Sequence, residues 1–262
     1  MSDFLTRIAA HKRAEVAARE AARPLPLVQA AAAAAAPPRA FHAALDGPPP
    51  RLIAEVKRAS PARGALNLTL EPAALACTYA AAGAHALSVL TDEQFFHGSD
   101  ADLVAARTAV ALPVLRKDFV LTAYQVWEAR ALGADAVLLI VALLPERELG
   151  ALQALAHDLG MAALVEVHTP EEAAVAAAVG ARLIGINNRD LTTFQVDLGT
   201  TERIAPLLPP EATVISESGI QSAADVRRVL RAGARAVLVG EALVTAGEPA
   251  ARVAELLGVA VP

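Results

Sequence analysis

Lysine and glutamate side chains interrupt short apolar stretches of this sequence, always near the same end of the stretch. Glu55 and Lys57 lie two residues apart and so share one face of the first such stretch. Three later stretches end near Lys117, Glu166 and Asn187. Lysines and carboxylates that share a partly dry cavity shift one another's pKa values, and such shifts produce enzyme acids and bases. The pattern therefore predicts a general acid–base site, provided that the fold brings these ends together.

Small residues after the last two apolar stretches indicate a second kind of site. Ser218 and Gly219 follow one stretch, and Gly240 follows the other. Glycines let backbone N–H groups approach an anion, and the N-terminus of a following helix adds a favourable dipole. Ser60 and Arg63, in the loop after the first stretch, offer a hydroxyl group and a cation. Together these residues predict a phosphate site beside the acid–base site.

The elements that must position these residues follow from a repeated pattern that begins at Leu52. A helical stretch ends at a glycine, and a Val/Ile/Leu-rich strand follows within a few residues. The predicted strands are Leu52–Arg58, Ala86–Thr91, Pro113–Phe119, Ala136–Val141, Ala162–Val167, Leu183–Asn188, Thr213–Ser218 and Ala236–Gly240. Eight such units favour an α/β fold, a (βα)8 TIM barrel whose strands converge at one mouth. An open doubly wound sheet is the alternative, although no Gly-x-Gly-x-x-Gly follows the first strand.

The first fifty residues have a different character. Asp3 to about Arg23 predicts one amphipathic helix, which the following prolines terminate. The alanine run Ala30–Ala36 is compatible with either a helix or a linker. We expect residues 1–50 to form an N-terminal helical extension packed on a barrel of residues 51–262, in a single domain.

Composition excludes several classes of protein. Hydrophobic residues make up 55% of the 262 residues, so a large core can form and disorder of the whole chain is excluded. A net charge of −5 argues against general affinity for nucleic acid. The single cysteine, Cys77, excludes an internal disulfide and a cysteine zinc cluster, and its Ala-rich helical setting predicts that it is buried. No apolar run suits a membrane span and no signal region starts the sequence, so we expect a cytoplasmic protein.

Six blocks of the sequence resemble the signature blocks of the indole-3-glycerol-phosphate synthase family, in the same order. They are Ile53–Pro61, Leu87–Asp92, Leu115–Phe119, Leu164–His168, Ile184–Leu191 and Glu217–Ile220. The resemblance covers roughly Leu52 to Val244. It implies a carbon–carbon lyase of tryptophan biosynthesis that needs no metal or organic cofactor. Its substrate would be 1-(o-carboxyphenylamino)-1-deoxyribulose 5-phosphate, which loses CO2 and water on ring closure to indole-3-glycerol phosphate.

The resemblance also implies roles for the catalytic residues. Lys117 would be the general acid that protonates the ribulose carbonyl, and Glu166 the general base of the later dehydration. Lys57 would hold the substrate carboxylate or support proton transfer, and Glu55 would orient Lys57. Asn187 would position the anthranilate part. The residues alone do not separate Glu166 from Glu55 as the base, because both would titrate as one coupled set.

The substrate-binding positions implied by the resemblance surround these five residues. They are Ser60, Phe96, Phe119, Arg189, Glu217, Ser218, Gly219, Leu238, Gly240 and Glu241. The two phenylalanines would face the aromatic ring. At Glu241 only the backbone N–H would help to bind phosphate, because the carboxylate would repel it.

Two other functions are compatible with such a barrel. A phosphoribosylanthranilate isomerase would use a cysteine and an aspartate at strand ends, whereas Cys77 lies in a predicted helix and the first strand ends near Lys57. A non-catalytic phosphate-binding barrel would be expected to have lost at least one ionic strand end. We therefore expect an enzyme that acts on a phosphorylated small molecule as a monomer, without nucleic-acid or membrane partners.

Overall fold

A computed structural model describes residues 3–258. Eight parallel strands form a closed barrel in which each strand pairs with its neighbours in the chain and the last pairs with the first. The strands are β1 Arg51–Val56, β2 Ala86–Leu90, β3 Val114–Lys117, β4 Ala136–Ile140, β5 Ala162–Val167, β6 Leu183–Asn187, β7 Thr213–Glu217 and β8 Ala236–Val239. The predicted barrel is confirmed, and the open sheet is excluded because β1 closes onto β8.

The predicted strands are all present but several are shorter at their C-terminal ends. The first was predicted to reach Arg58 and ends at Val56, and the third was predicted to reach Phe119 and ends at Lys117. The chain leaves the barrel wall at these points to form loops, so the last residues make no ladder hydrogen bonds. An antiparallel hairpin of Ala59–Ser60 with Gly64–Ala65 follows β1 directly.

Helices cover the outside of the barrel. They are α1 Asp3–Ala22, α2 Leu25–Ala34, α3 Pro72–Ala81, α4 Glu93–Phe96, α5 Asp100–Ala109, α6 Ala123–Ala131, α7 Glu146–Asp158, α8 Pro170–Ala178, α9 Gly199–Ile204, α10 Ala223–Arg231, α11 Glu241–Val244 and α12 Pro249–Leu257. Glycines end helices as predicted. Gly133 after α6 and Gly160 after α7 have φ values of 86° and 77°. Only glycine adopts this left-handed conformation without strain, so the chain can turn directly into the next strand.

The predicted N-terminal helix is present as α1, and the alanine run, which the sequence left open, is helical as far as Ala34 in α2. Val16 of α1 and Val28 of α2 pack with Tyr124 of α6 in a small separate core. The backbone N–H of Arg39 donates to the buried carboxylate of Asp135 at 2.7 Å. The segment is therefore tied to the barrel at more than one place.

One burial prediction was wrong. Cys77 is exposed on α3, whereas its neighbours Ala76 and Tyr79 are buried. Successive residues of a helix point about 100° apart, so the buried face of α3 passes through 76 and 79 and leaves 77 outside. An Ala-rich helix has too little contrast between its faces to show this orientation in the sequence.

Candidate active site

A cavity of about 440 Å³ opens at the C-terminal ends of the barrel strands. Every catalytic and substrate-binding residue proposed from the sequence lines it, from Glu55 on β1 to Glu241 after β8. The parallel closed sheet explains this convergence, because all eight strands end on the same side. The two expected sites, ionic and phosphate-binding, therefore face one volume.

Lys117 lies at the centre of the ionic group. Its Nζ atom is 3.0 Å from Oε2 of Glu166 and 3.2 Å from Oε2 of Glu217. Burial alone would lower the pKa of Lys117, but the two carboxylates, with Glu55 behind them, outweigh burial and raise the pKa well above its ordinary value. Lys117 is consequently an ammonium group at neutral pH, with a proton to donate.

The two carboxyl groups beside Lys117 differ in protonation. Burial would raise the pKa of Glu166, yet Lys117 and His168 outweigh it and hold the pKa below its usual range. Burial raises the pKa of Glu217 to about 7, an effect that Lys117 opposes and the charges of Glu166 and Glu55 reinforce. Glu166 is thus the carboxylate of the pair, and Glu217 is the group that keeps a proton up to about neutral pH.

His168 follows β5 two residues after Glu166, and the sequence suggested no role for it. Its Nε2 atom is 3.3 Å from Oε1 of Glu166, and its Nδ1 atom is 3.2 Å from Oε2 of Glu172 on α8. Burial would lower the pKa of His168, but the facing carboxylates raise it to about 10. The imidazolium therefore holds Glu166 from the side opposite Lys117.

The other lysine of the cavity, Lys57, pairs with Glu55. Its Nζ atom is 2.8 Å from Oε1 of Glu55, and the Ser88 hydroxyl donates to Oε2 at 3.2 Å. Gly240 packs against this pair, and a Cβ atom at position 240 would collide with the carboxylate. Glu55 is consequently fixed on both oxygens and orients Lys57 toward the cavity.

Asn187 and Arg189 form the β6 side of the site. The Asn187 side-chain oxygen accepts the backbone N–H of Arg189 at 3.0 Å, and the Arg189 guanidinium donates to the carbonyl of Phe194 at 3.1 Å. The loop that leaves β6 is thereby held over the mouth, with Asn187 largely buried.

Aromatic rings provide the apolar wall. Phe96 of α4 and Phe119 after β3 lie with ring centroids 6.0 Å apart. Phe4 and Leu5 of α1 also line the cavity, and the Phe4 ring lies 5.0 Å from that of Phe194. Sequence reasoning missed Phe4 and Leu5, because apolar residues at the start of an amphipathic helix are ordinarily core residues.

The residues expected to bind phosphate lie after β7 and β8, where the backbone adopts an uncommon conformation. Ser218 and Gly219 after β7 have φ values of 65° and 82°, and Gly240 precedes the short helix α11. Positive φ at a serine is an uncommon conformation of the kind found at ligand sites. Glu241 does not leave a free negative charge here, because its Oε1 atom lies 2.9 Å from Nε of Arg63 in the hairpin after β1.

Among residues 3–258, no three His, Cys, Asp or Glu side chains are placed so that they could hold one metal ion. In the same part of the chain, no helix combines the length and apolarity that crossing a membrane requires.

Comparison with known proteins relates this architecture to one family. A family model described as indole-3-glycerol phosphate synthase matches residues 5–256. A protein of that description from Rhodococcus jostii (strain RHA1) is 54% identical over 245 residues, 94% of this chain and 91% of the relative. One from Roseiflexus castenholzii (strain DSM 13941 / HLO8) is 52% identical and covers 98% of this chain and 99% of its own length. The solved structure of a 3-hexulose-6-phosphate synthase, only 17% identical, covers 80% of this chain and 100% of its own with a TM-score of 0.61, a likeness of fold alone.

Proposed function

The chain belongs to the indole-3-glycerol phosphate synthase family, and we propose that the cavity at the barrel mouth is the site of its reaction. The protein is a carboxy-lyase of tryptophan biosynthesis, which converts 1-(o-carboxyphenylamino)-1-deoxyribulose 5-phosphate into indole-3-glycerol phosphate, CO2 and water. One observation carries the assignment of the site. An ammonium group that is largely buried between two carboxyl groups faces the same cavity as the glycine-containing turns after β7 and β8.

The substrate has three parts that different walls of the cavity suit. Its phosphate fits the backbone N–H groups near Gly219 and Gly240, with the hydroxyl groups of Ser60 and Ser218 beside them. Its aromatic ring fits the apolar wall that contains Phe119. This orientation leaves the ribulose carbonyl in the middle of the cavity, within reach of Lys117.

The first step needs an acid. As the aromatic carbon attacks C2 of the ribulose chain, the carbonyl oxygen gains negative charge, and Lys117 donates a proton to it. Glu166 and Glu217 hold the ammonium group in place before the transfer. Lys57 and Arg189 bind the anthranilate carboxylate until CO2 leaves, and Asn187 positions the ring that carries it. One positioned acid contributes about 10²- to 10⁴-fold to the rate.

The last step needs a base. Loss of water breaks a C–H bond of the new ring and the C–O bond of the hydroxyl group. Glu166 accepts the proton of the C–H bond as a carboxylate, and the hydroxyl group leaves as water with a proton that solvent supplies. Both Glu166 and Glu55 have a partner at each oxygen, and we choose Glu166 because it contacts Lys117, the acid of the first step, whereas Glu55 pairs with Lys57. Glu217 is less suitable because burial raises its pKa to about 7, so that it is only partly ionised at neutral pH.

The test is to mix the purified protein with the carboxyphenylamino-deoxyribulose phosphate and to follow indole fluorescence. Wild-type protein should form product, and Lys117→Met should lower kcat by about 10²-fold or more while binding inorganic phosphate normally. Glu166→Gln should suppress product formation with little change in KM. Arg147→Met on α7, outside the cavity lining, is the matched control for loss of one cation. Normal turnover by Lys117→Met would show that Lys117 is not the acid.

A further inference from the structure

The sequence contains only three lysines but twenty arginines. Lys57 and Lys117 line the cavity, and the third is Lys12 on α1, outside the barrel. An ammonium group is compact and can contact several carboxylates closely, whereas a guanidinium group is larger and planar. Lysine thus occurs in this chain at two positions in the site and at one position elsewhere.

Lys12 is buried completely, with a relative exposure of 0%. Its Nζ atom lies 2.8 Å from Oδ2 of Asp92, 2.9 Å from Oδ1 of Asp118 and 2.9 Å from Oε2 of Glu15. Asp92 and Asp118 are themselves buried. From the middle of α1, the ammonium group therefore joins the loop after β2 to the end of β3.

Both aspartates hold residues of the active site. Asp118 follows Lys117 directly, and its carboxylate accepts the backbone N–H of Phe119 at 2.8 Å. Asp92 is the N-cap of α4, where it accepts the backbone N–H of Phe95 at 2.7 Å, and α4 carries Phe96. Each aspartate thus holds the backbone segment that carries one of these two rings, and Asp118 is also the residue next to the acid.

We propose that Lys12 is a positioning residue of the active site, which sets the spacing of Phe96 and Phe119 and the direction of Lys117 by bridging Asp92 and Asp118. The expected change in kcat rests on the proposed function, whereas the expected change in the spacing of the two rings does not. It gives α1 a part in catalysis through one ammonium group that itself makes no contact with substrate.

Other residues already attach the N-terminal segment to the barrel, so attachment alone does not explain the contacts of Lys12. Arg19 on the same helix already pairs with Asp100 at 2.7 Å, and Arg130 donates to the carbonyl of Ala35 at 2.9 Å. Arg116 lies 3.6 Å from the second oxygen of Asp118. Among the ion pairs described for residues 3–258, Lys12 alone contacts both Asp92 and Asp118.

The experiment compares Lys12→Met with Arg130→Met, which removes a tie between the N-terminal segment and the barrel away from the cavity. We expect Lys12→Met to lower kcat about 10- to 100-fold, the effect of a misplacement near 1 Å, with binding of inorganic phosphate unchanged. Arg130→Met should keep kcat within about 2-fold, since its hydrogen bond lies far from the reacting groups. Equal kcat losses in the two variants, or an unchanged kcat in Lys12→Met, would overturn the proposal.

A second measurement does not depend on turnover. In protein labelled with 13C-phenylalanine, nuclear Overhauser effects between the rings of Phe96 and Phe119 should weaken in Lys12→Met and persist in Arg130→Met. If wild-type protein forms no indole product, the proposed function fails while this result still decides the role of Lys12. If Lys12→Met does not fold, Asp92→Asn, which can still cap α4 and leaves Lys12 paired with Asp118, should show the same weakening. Unchanged ring contacts in both variants would refute the proposal.

Discussion

Glu217 should destabilise the folded protein as the pH rises through neutrality. Its carboxyl group is buried against the backbone of Gly185, where a Cβ atom would collide with Oε1, and that oxygen has no hydrogen-bond partner. Burial raises the pKa of Glu217 from 4.5 to about 7 in the folded state. Between these two pH values the folded chain keeps a proton that the unfolded chain has released, so the free energy of unfolding falls with rising pH.

The size of the effect follows from the two pKa values. The interval between 4.5 and about 7 corresponds to about 3 kcal/mol, at about 1.4 kcal/mol per pH unit. Glu217→Gln has nearly the same shape but does not titrate. The free energy of unfolding of the variant minus that of wild type should therefore rise by about 3 kcal/mol between pH 4.5 and pH 7. This rise does not depend on the value of the difference at pH 4.5.

Urea unfolding at pH 4.5, 5.5, 7 and 8 measures this gain. Glu211→Gln, on the exposed turn before β7, controls for loss of a carboxylate at the surface. A gain that is flat or negative with rising pH would mean that Lys117 keeps Glu217 ionised in the folded state. The assignment of Glu217 as the protonated carboxyl group of the site would then be wrong.

Other variants test the remaining contacts. His168→Gln removes a cation 3.3 Å from Glu166, so the pKa of Glu166 should rise. On the acidic side of the pH profile, kcat/KM of the variant should then begin to fall at a pH about 1 unit or more above that of wild type. An acidic limb at the same pH in both proteins would contradict the contact. Gly219→Ala forces a side chain at φ 82° into Val196 and should lower the free energy of unfolding by about 1–3 kcal/mol in urea titrations, whereas an unchanged midpoint would mean that the loop relaxes freely. Phe119→Ala removes one ring of the apolar wall and should raise KM by about 2- to 10-fold in steady-state assays, and an unchanged KM would exclude this wall as the ring site.

The barrel could be predicted because its determinants are local. A glycine at a helix end and an apolar strand after it specify each unit without reference to distant residues, and eight units leave few closed arrangements. The convergence of Lys117 with Glu166 and Glu217 follows from the topology, since every strand ends on the same side. What remained ambiguous was the alanine run, whose helical state up to Ala34 depends on packing against α6 rather than on its own pattern.

The contacts that the sequence did not reveal join residues far apart in the chain. Lys12 meets Asp118 across more than a hundred residues, and nothing in the periodicity of α1 distinguishes it from the exposed Arg13 next to it. Glu241 was expected to repel phosphate with a free carboxylate, but Arg63 from the first loop pairs with it. Local patterns predict elements and their faces, whereas a pairing of this kind depends on how two loops meet.

The protonated state of Glu217 gives the site its charge balance. Lys57, Lys117 and His168 carry three positive charges, and their partners Glu55, Glu166 and Glu172 carry three negative ones, so this set is neutral only while Glu217 keeps its proton. An ionised Glu217 would make the floor of the cavity negative and repel the carboxylate of an anionic substrate. The buried, partly unpaired position of Glu217 is unfavourable for stability, but the same burial retains the proton that lets Lys117 face an anion. A stability cost at this position is therefore a direct consequence of the chemistry that the site must perform.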